Sequence, residues 1–303
     1  MLKDKLNDFD KENWKAPDLC EDMPHGDMPG DKIRIADEHI LKASKIFPVL
    51  IDKLSAFEKK AVVSVFGGSG VGKSEIASLL AYYLNDSGIK AYVLSGDNYP
   101  RRIPLYNDAE RLSIFRSEGL KGLVASGEYN DEVQKILDGL WADETDPEPK
   151  KTEEYPWLAA YQKAGRTALS AYLGTPREQD YDQLNAIIGA FKEGQETVYL
   201  KRMGRTEEER WYDAIDFSDT DVLIIEWTHG GNKDLQGIDI PILLNSTPEE
   251  TREHRRLRAR DGKTDSAFTT MVLEIEQAEL MERAKTAAII LSKSGEFLDP
   301  QDF

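Results

Sequence analysis

The stretch Val62–Leu80, "VVSVFGGSGVGKSEIASLL", limits what this chain can fold into more than any other. The β-branched run "AVVSVFGG" over 61–68 reads as a buried strand. "KSEIASLLAYYLNDSG" over 73–88 puts Ile76, Leu79, Leu80 and Tyr83 on one helical face and meets a stop at Gly88. Between the two, Gly67-x4-Gly72-Lys73-Ser74 satisfies G-x-x-x-x-G-K-[ST] in full, with the strand before it and the helix after it that the pattern requires. Glycines let the backbone turn its N–H groups inward around an anion, and the helix aims the positive end of its dipole at the same point. Gly67, Gly68, Ser69, Gly70, Val71 and Gly72 therefore read as a phosphate cradle, with Glu75 in the first turn of the helix. Lys73 would reach the terminal phosphates of ATP, and Ser74 would ligate Mg2+.

The rest of the chain repeats the strand–helix rhythm. "AYVLSGD" (91–97) reads as a second buried strand, and "NDAERLSIFRSEGLKGLVAS" (107–126) as a helix capped by Asn107 or Asp108. "DVLIIEWTHGG" (221–231), "DIPILLNS" (239–246) and "AAIILSKSG" (287–295) are strand-like. Helices are expected at 247–261, capped by Thr247 with Pro248 in its first turn, and at 265–287. The expected fold is a three-layer α/β arrangement with a mostly parallel sheet over 58–303. Residues 127–200 read as a mainly helical insertion on the substrate side, and "TVYLKRM" and "RWYDAIDF" as a short strand pair. Residues 1–57 read as an irregular arm followed by an amphipathic helix over 36–57. That helix carries Ile40, Leu41, Ala43, Ile46 and Phe47, and is bent or split near Pro48.

Composition removes several classes of function. With 56 acidic against 39 basic residues the net charge is −17, so binding to nucleic acid or an acidic membrane is not expected and any phosphate site must be a local positive spot. A single cysteine excludes an internal disulfide, and no stretch has the length of a membrane span or a signal-peptide core, so a cytoplasmic location is expected. The four histidines show no metal-ligand spacing, and the segments leave homo-oligomerisation open.

Asp97 closes the second strand. A carboxylate at that sheet edge can accept the proton of a substrate hydroxyl attacking the γ-phosphate. Glu226 ends the strand "DVLIIEW", a position suited to the Mg2+ side of the loop. "HRRLRARD" holds the densest basic cluster, with Arg256 and Arg260 four apart on one helix face, fitting a lid that neutralises phosphate charge. Arg101 and Arg102 follow Asp97 closely and could hold an anionic substrate group, and His229 lies near Glu226.

Taken together, "GGSGVGKS", "LSGDNYPRR", "DVLIIEWTHG" and "HRRLRARD" resemble the P-loop small-molecule kinases of the uridine kinase and phosphoribulokinase group, over roughly 61–126 and 210–295. The resemblance implies an ATP- and Mg2+-dependent transfer to a hydroxyl of a sugar- or nucleoside-like metabolite, with Asp97 as base, Glu226 as acidic strand end and an arginine lid whose spacing is off by one. It also makes the "YD" pair Tyr212 and Asp213 substrate-side candidates; Asn98 and Tyr99, beside Asp97, are further ones. "GDN" followed by arginine, then "NDAERLSIFR", is similar to adenylylsulfate kinases, although Arg101 falls one position late. A GTPase is disfavoured because Leu235 stands where the Asn232-Lys233-Asp234 run would need aspartate. A regulatory nucleotide-binding ATPase is the reading of another class.

Overall fold

The computed structural model describes residues 1–7, 9–11, 13–20, 23–30, 32–253 and 266–303. At its centre strand β1 (Ala61–Gly67) is buried along its whole length. β2 (Ala91–Ser95), β3 (Thr197–Met203), β4 (Arg210–Asp216), β5 (Val222–Glu226), β6 (Ile240–Leu244) and β7 (Ile289–Leu291) follow in chain order. Five of them form one sheet in the order β2-β5-β1-β6-β7, every pair parallel. β3 and β4 make a separate antiparallel pair, as the sequence suggested.

Side chains alternate across the sheet. Val63, Val65, Ile224, Ile242 and Leu244 face a layer made by α1 (Leu2–Asn7), α2 (Asp37–Leu54) and α3 (Lys73–Asp86). Val62, Leu223 and Ile225 face α8 (Tyr181–Glu193), which contributes Leu184, Ile187, Ile188 and Phe191. α9 (Ala267–Ala284) covers Phe66 and Leu243. The expected three-layer α/β fold is therefore present.

The structure departs from the local expectations at three points, the first being that α2 is not split. α2 runs unbroken through Pro48, because Ile46, Phe47, Leu50 and Leu54 are fully buried against the sheet layer and this packing outweighs the hydrogen bond proline removes. Leu41, expected on its apolar face, is 55% exposed. Helix α4 (Pro104–Ser126) begins three residues earlier than its sequence signal: Ile103 is the cap and Pro104, with its fixed φ, opens the first turn.

Within 127–200 lie α5 (Asp131–Ala142), α6 (Lys151–Glu154), α7 (Leu158–Ser170) and α8. α7 lies flush on α4. A Cβ on Gly119 would come within 2.5 Å of the Tyr161 ring, and one on Gly165 within 2.5 Å of the Phe115 carbonyl. Their apolar cluster, with Leu123, Leu137, Leu158 and Leu169, is shared with Met271, Val272 and Ile275 of α9. Trp141, Trp157 and Tyr161 belong to this core, as the sequence reading held.

The arm wraps the outer layer rather than hanging from it. Leu2 and Leu6 are buried, Trp14 packs tilted against Phe47 and edge-on to Tyr83 with ring centroids 4.5 and 5.4 Å apart, and Ser78 donates to the Pro24 carbonyl. From there residues 23–28 reach the carboxyl edge of the sheet.

Candidate active site

The loop between β1 and α3 takes the form its glycines permit. Gly70 (φ 77°) and Gly72 (φ 95°) adopt left-handed backbone. At Gly67 (φ 153°) any side chain would collide with the Leu244 carbonyl. Ser74 and Glu75 are buried at the start of α3. Lys73 curls back so that its Nζ donates to the Gly68 carbonyl at 3.0 Å.

The register of the sheet brings the other groups here. Val65 and Ser95 are both partners of Glu226, so β1, β2 and β5 end together. Ser95 Oγ donates to Glu226 Oε1 at 2.6 Å and Ser74 Oγ to Oε2 at 3.2 Å. Asp97 follows in a single 3₁₀ turn, Gly96–Asn98, whose glycine lies against the Trp227 ring with no room for a Cβ. Burial, and then the charge of Asp97, push the Glu226 carboxyl up to about 7, while Lys73 and the two hydroxyls pull it down.

Lys73, Ser74, Asp97 and Glu226 line one cavity of about 740 Å³ with Ser69 and Gly70. That volume lies within the usual ~300–1,000 Å³ of small-molecule sites. Its far wall comes from elsewhere: Leu105, Arg111 and Arg116 of α4, Glu144 and Asp146 of the insertion, Arg205, and Phe268 at the start of α9. Met28 of the arm also lines it.

The oxygen donors suit a hard cation. Ser74 Oγ and a buried Glu226 carboxylate that gains from nearby positive charge are the set expected where Mg2+ is held by one carboxylate, a hydroxyl and phosphates. Among the described residues no group of three or more His, Cys, Asp or Glu side chains could hold a metal by itself.

Seven side chains expected at the substrate are not on the wall of this cavity. Asn98 is buried between Asp27 and the Met203 N–H. Tyr99 is fully buried in the core facing α8. Arg101 donates to the Pro176 carbonyl at 2.6 Å and lies near Asp180 and Asp182; Arg102 is spent on Tyr172 and Glu110. Tyr212 is 54% exposed on the strand pair, where its hydroxyl accepts from Gln183, and Asp213 pairs with Arg202 at 3.0 Å. His229 is buried against Trp227 and kept neutral: burial drives its pKa down to about 3, which Glu178 opposes and Arg283, Arg111 and Lys73 reinforce. Arg256 and Arg260 lie outside the described residues; the capping box that opens their segment is present, with Thr247 Oγ1 accepting from the Glu250 N–H and Glu250 Oε2 from the Thr247 N–H.

Among the described residues, the arginines on the cavity wall are Arg111, Arg116 and Arg205. Arg111 donates to Glu178 Oε1 at 2.6 Å, with Glu276 at 3.8 Å. Arg116 grips the buried Asp146 with two hydrogen bonds of 2.8 and 3.2 Å. The run "NDAERLSIFR" held both on a predicted helix, but their partners lie 67 and 30 residues away, so no spacing marked them.

The loop, the order of the parallel strands and the acidic end of β5 define a P-loop α/β fold. Comparisons with known proteins give the following likenesses. The adenylylsulphate kinase family model matches residues 59–113. The chain is 37% identical over 238 residues to the bifunctional alpha-galactosidase/sucrose kinase AgaSK of Mediterraneibacter gnavus. That match takes in 78% of this chain and 20% of that protein, so the chain spans a fifth of the length of the curated relative. Among solved structures, a candidate fructose transport system kinase from Silicibacter sp. TM1040 covers 80% of this chain and 93% of its own at 16% identity, with a TM-score of 0.45. A possible uridine kinase from Bacillus stearothermophilus covers 82% and 96% at 15% identity, with a TM-score of 0.43. Scores this low bear on neither fold nor function. Among the described residues no helix is long and apolar enough to cross a membrane.

Proposed function

We propose that the chain is an ATP- and Mg2+-dependent kinase that phosphorylates a hydroxyl of a small, sugar-like metabolite. One observation carries the reading: a loop built for phosphates and a carboxylate able to serve as base, Asp97, open into one cavity at the carboxyl edge of a parallel sheet. The loop amides and Lys73 hold the β- and γ-phosphates. Ser74 and Glu226 would hold Mg2+, which supplies positive charge to the phosphates. Asp97 accepts the proton of the acceptor hydroxyl as its oxygen attacks the γ-phosphorus and the bond to the β-phosphate oxygen breaks. Arg256 and Arg260, outside the described residues, are assigned to the charge balance of the transfer, and the loop after α5, with Glu144 and Asp146, lines the acceptor side.

The curated relative's sucrose kinase description supports a sugar acceptor, as does a far wall that mixes carboxylates and arginines with Leu105 and Phe268. The adenylylsulphate kinase match favours a second acceptor, adenylylsulfate, but its 59–113 span covers only the donor side and the start of α4. Transfer from γ-labelled ATP to sucrose, fructose, uridine and adenylylsulfate separates these readings. A labelled sugar is expected. A labelled sulfonucleotide supports the second acceptor, and release of inorganic phosphate alone rejects kinase activity.

A further inference from the structure

The Asp27 carboxylate is not used by the chemistry above, yet it is more completely engaged than any group in the site. It lies in the arm, 70 residues before Asp97 in sequence, and its side chain is only 9% exposed. Its Oδ1 accepts from the Ser95 N–H and from Asn98 Nδ2, both at 2.9 Å. Its Oδ2 accepts from Arg202 Nη1 at 2.8 Å and from the Tyr92 hydroxyl at 3.0 Å. Four donors fill the acceptor capacity of one carboxylate. Burial pushes this carboxyl up, and Arg202 chiefly opposes the push.

The partners explain what the arrangement does. β2 is an edge strand, so no further strand is there to take the Ser95 N–H, and Asp27 takes it. Ser95 and Asn98 flank the turn that carries Asp97, and Asp27 binds both ends with one oxygen. Asn98 is fixed from its other side as well, where Oδ1 accepts from the Met203 N–H at 3.0 Å. Ser95 is held by its hydroxyl to Glu226 Oε1. Gly26 lets the arm approach this closely: a Cβ there would stand 3.1 Å from Glu226 Oε1 and 3.4 Å from Ser95 Cβ. Beyond Asp27, Arg202 continues the chain of contacts to Asp213.

We propose that Asp27 is a positioning residue for phosphoryl transfer, an arm-borne carboxylate that fixes the Gly96–Asn98 turn so that Asp97 faces the acceptor hydroxyl. The arm is thereby part of the catalytic apparatus. This inference rests on the reading of Asp97 as the base. Asp27 does not touch the nucleotide or the acceptor, so its effect passes through Asp97.

A double-mutant cycle on the full chain tests it, with thermal melts and Mg·ATP affinity measured in parallel. Displacing a reacting group by about 1 Å can cost ~10²-fold. Asp27→Ala is expected to lower kcat about 10- to 100-fold, with Mg·ATP affinity unchanged. In the Asp97→Asn background, where there is no base to position, Asp27→Ala should change the residual rate less than about twofold. Asp27→Ala that keeps kcat within twofold overturns the proposal. So does an equal fractional loss in both backgrounds, which marks a merely structural residue. Should Asp27→Ala fail to melt cooperatively, the isosteric Asp27→Asn and Asn98→Ala carry the same cycle. If the unaltered chain transfers no phosphate to any acceptor, the kinase reading fails and this proposal with it, before any variant is compared.

Discussion

The near wall of the cavity comes from Ser69, Gly70, Lys73 and Ser74 of one loop and two strand ends brought together by parallel register; the far wall comes from the arm, α4, the loop after α5, Arg205 and α9. Glycine backbone and sheet pairing shape the first, so its geometry is local. The second is held by ion pairs between distant segments, such as Arg116 with Asp146 and Arg111 with Glu178. The contrast teaches where each kind of specificity resides. On the proposed function, phosphate holding rests on one motif and acceptor choice on tertiary packing.

Substitutions on the two walls should therefore fail in different ways. Lys73→Ala removes a positive charge from the transferring group, and loss of a comparable cation, an arginine finger, costs phosphoryl transfer roughly 10³–10⁵-fold. Transfer should fall to that extent with no change in melting, and a loss below tenfold in a labelled-ATP assay would remove Lys73 from the mechanism. Asp146→Ala strips a fully buried carboxylate from Arg116 and from the Tyr161 hydroxyl. It should cost about 3 kcal/mol in denaturant unfolding, as broken buried pairs do. It should also raise the acceptor KM while leaving Mg·ATP affinity intact; weakened ATP binding would erase the distinction between the walls. Gly96→Ala forces a methyl into the Trp227 ring beneath the base turn. Overpacking of this kind costs ~1–3 kcal/mol, and kcat should fall with it.

The smallest effect concerns pH. Burial raises the Glu279 carboxyl to about 7, with Arg283 opposing and Glu276 and Glu178 adding to the rise. A carboxyl raised above its ordinary 4.5 contributes stability that is fully present below 4.5 and is lost as pH rises through about 7. Glu279→Gln should flatten that part of the curve, changing the Tm difference between pH 5 and pH 8 by about 2 °C; an unchanged difference would show that Glu279 is solvated.

What could be read from the sequence follows the same division. The strand–loop–helix unit, the positions of Asp97 and Glu226, the later strands and the β3–β4 pair all depend on patterns within a few residues, and all are present. Pro48 deceived because buried neighbours override a local helix breaker. Asn98, Tyr99, Arg101, Arg102 and His229 are drawn to the substrate by nearness in sequence to Asp97 or Glu226, and Tyr212 by the resemblance of its "YD" segment, but each is bound by or packed on a segment far along the chain. Asp27 left no signal in "MPHGDMPG", since its partners Tyr92, Ser95, Asn98 and Arg202 are 65 to 175 residues away.

The measurement closest to the central claim compares Asp97→Asn with the unaltered chain for Mg·ATP affinity by calorimetry and for transfer to the accepted sugar. If the loop holds the donor and Asp97 activates the acceptor, affinity stays within twofold while kcat drops ~10²–10³-fold. Equal losses in binding and transfer, or a near-normal kcat, would contradict that account.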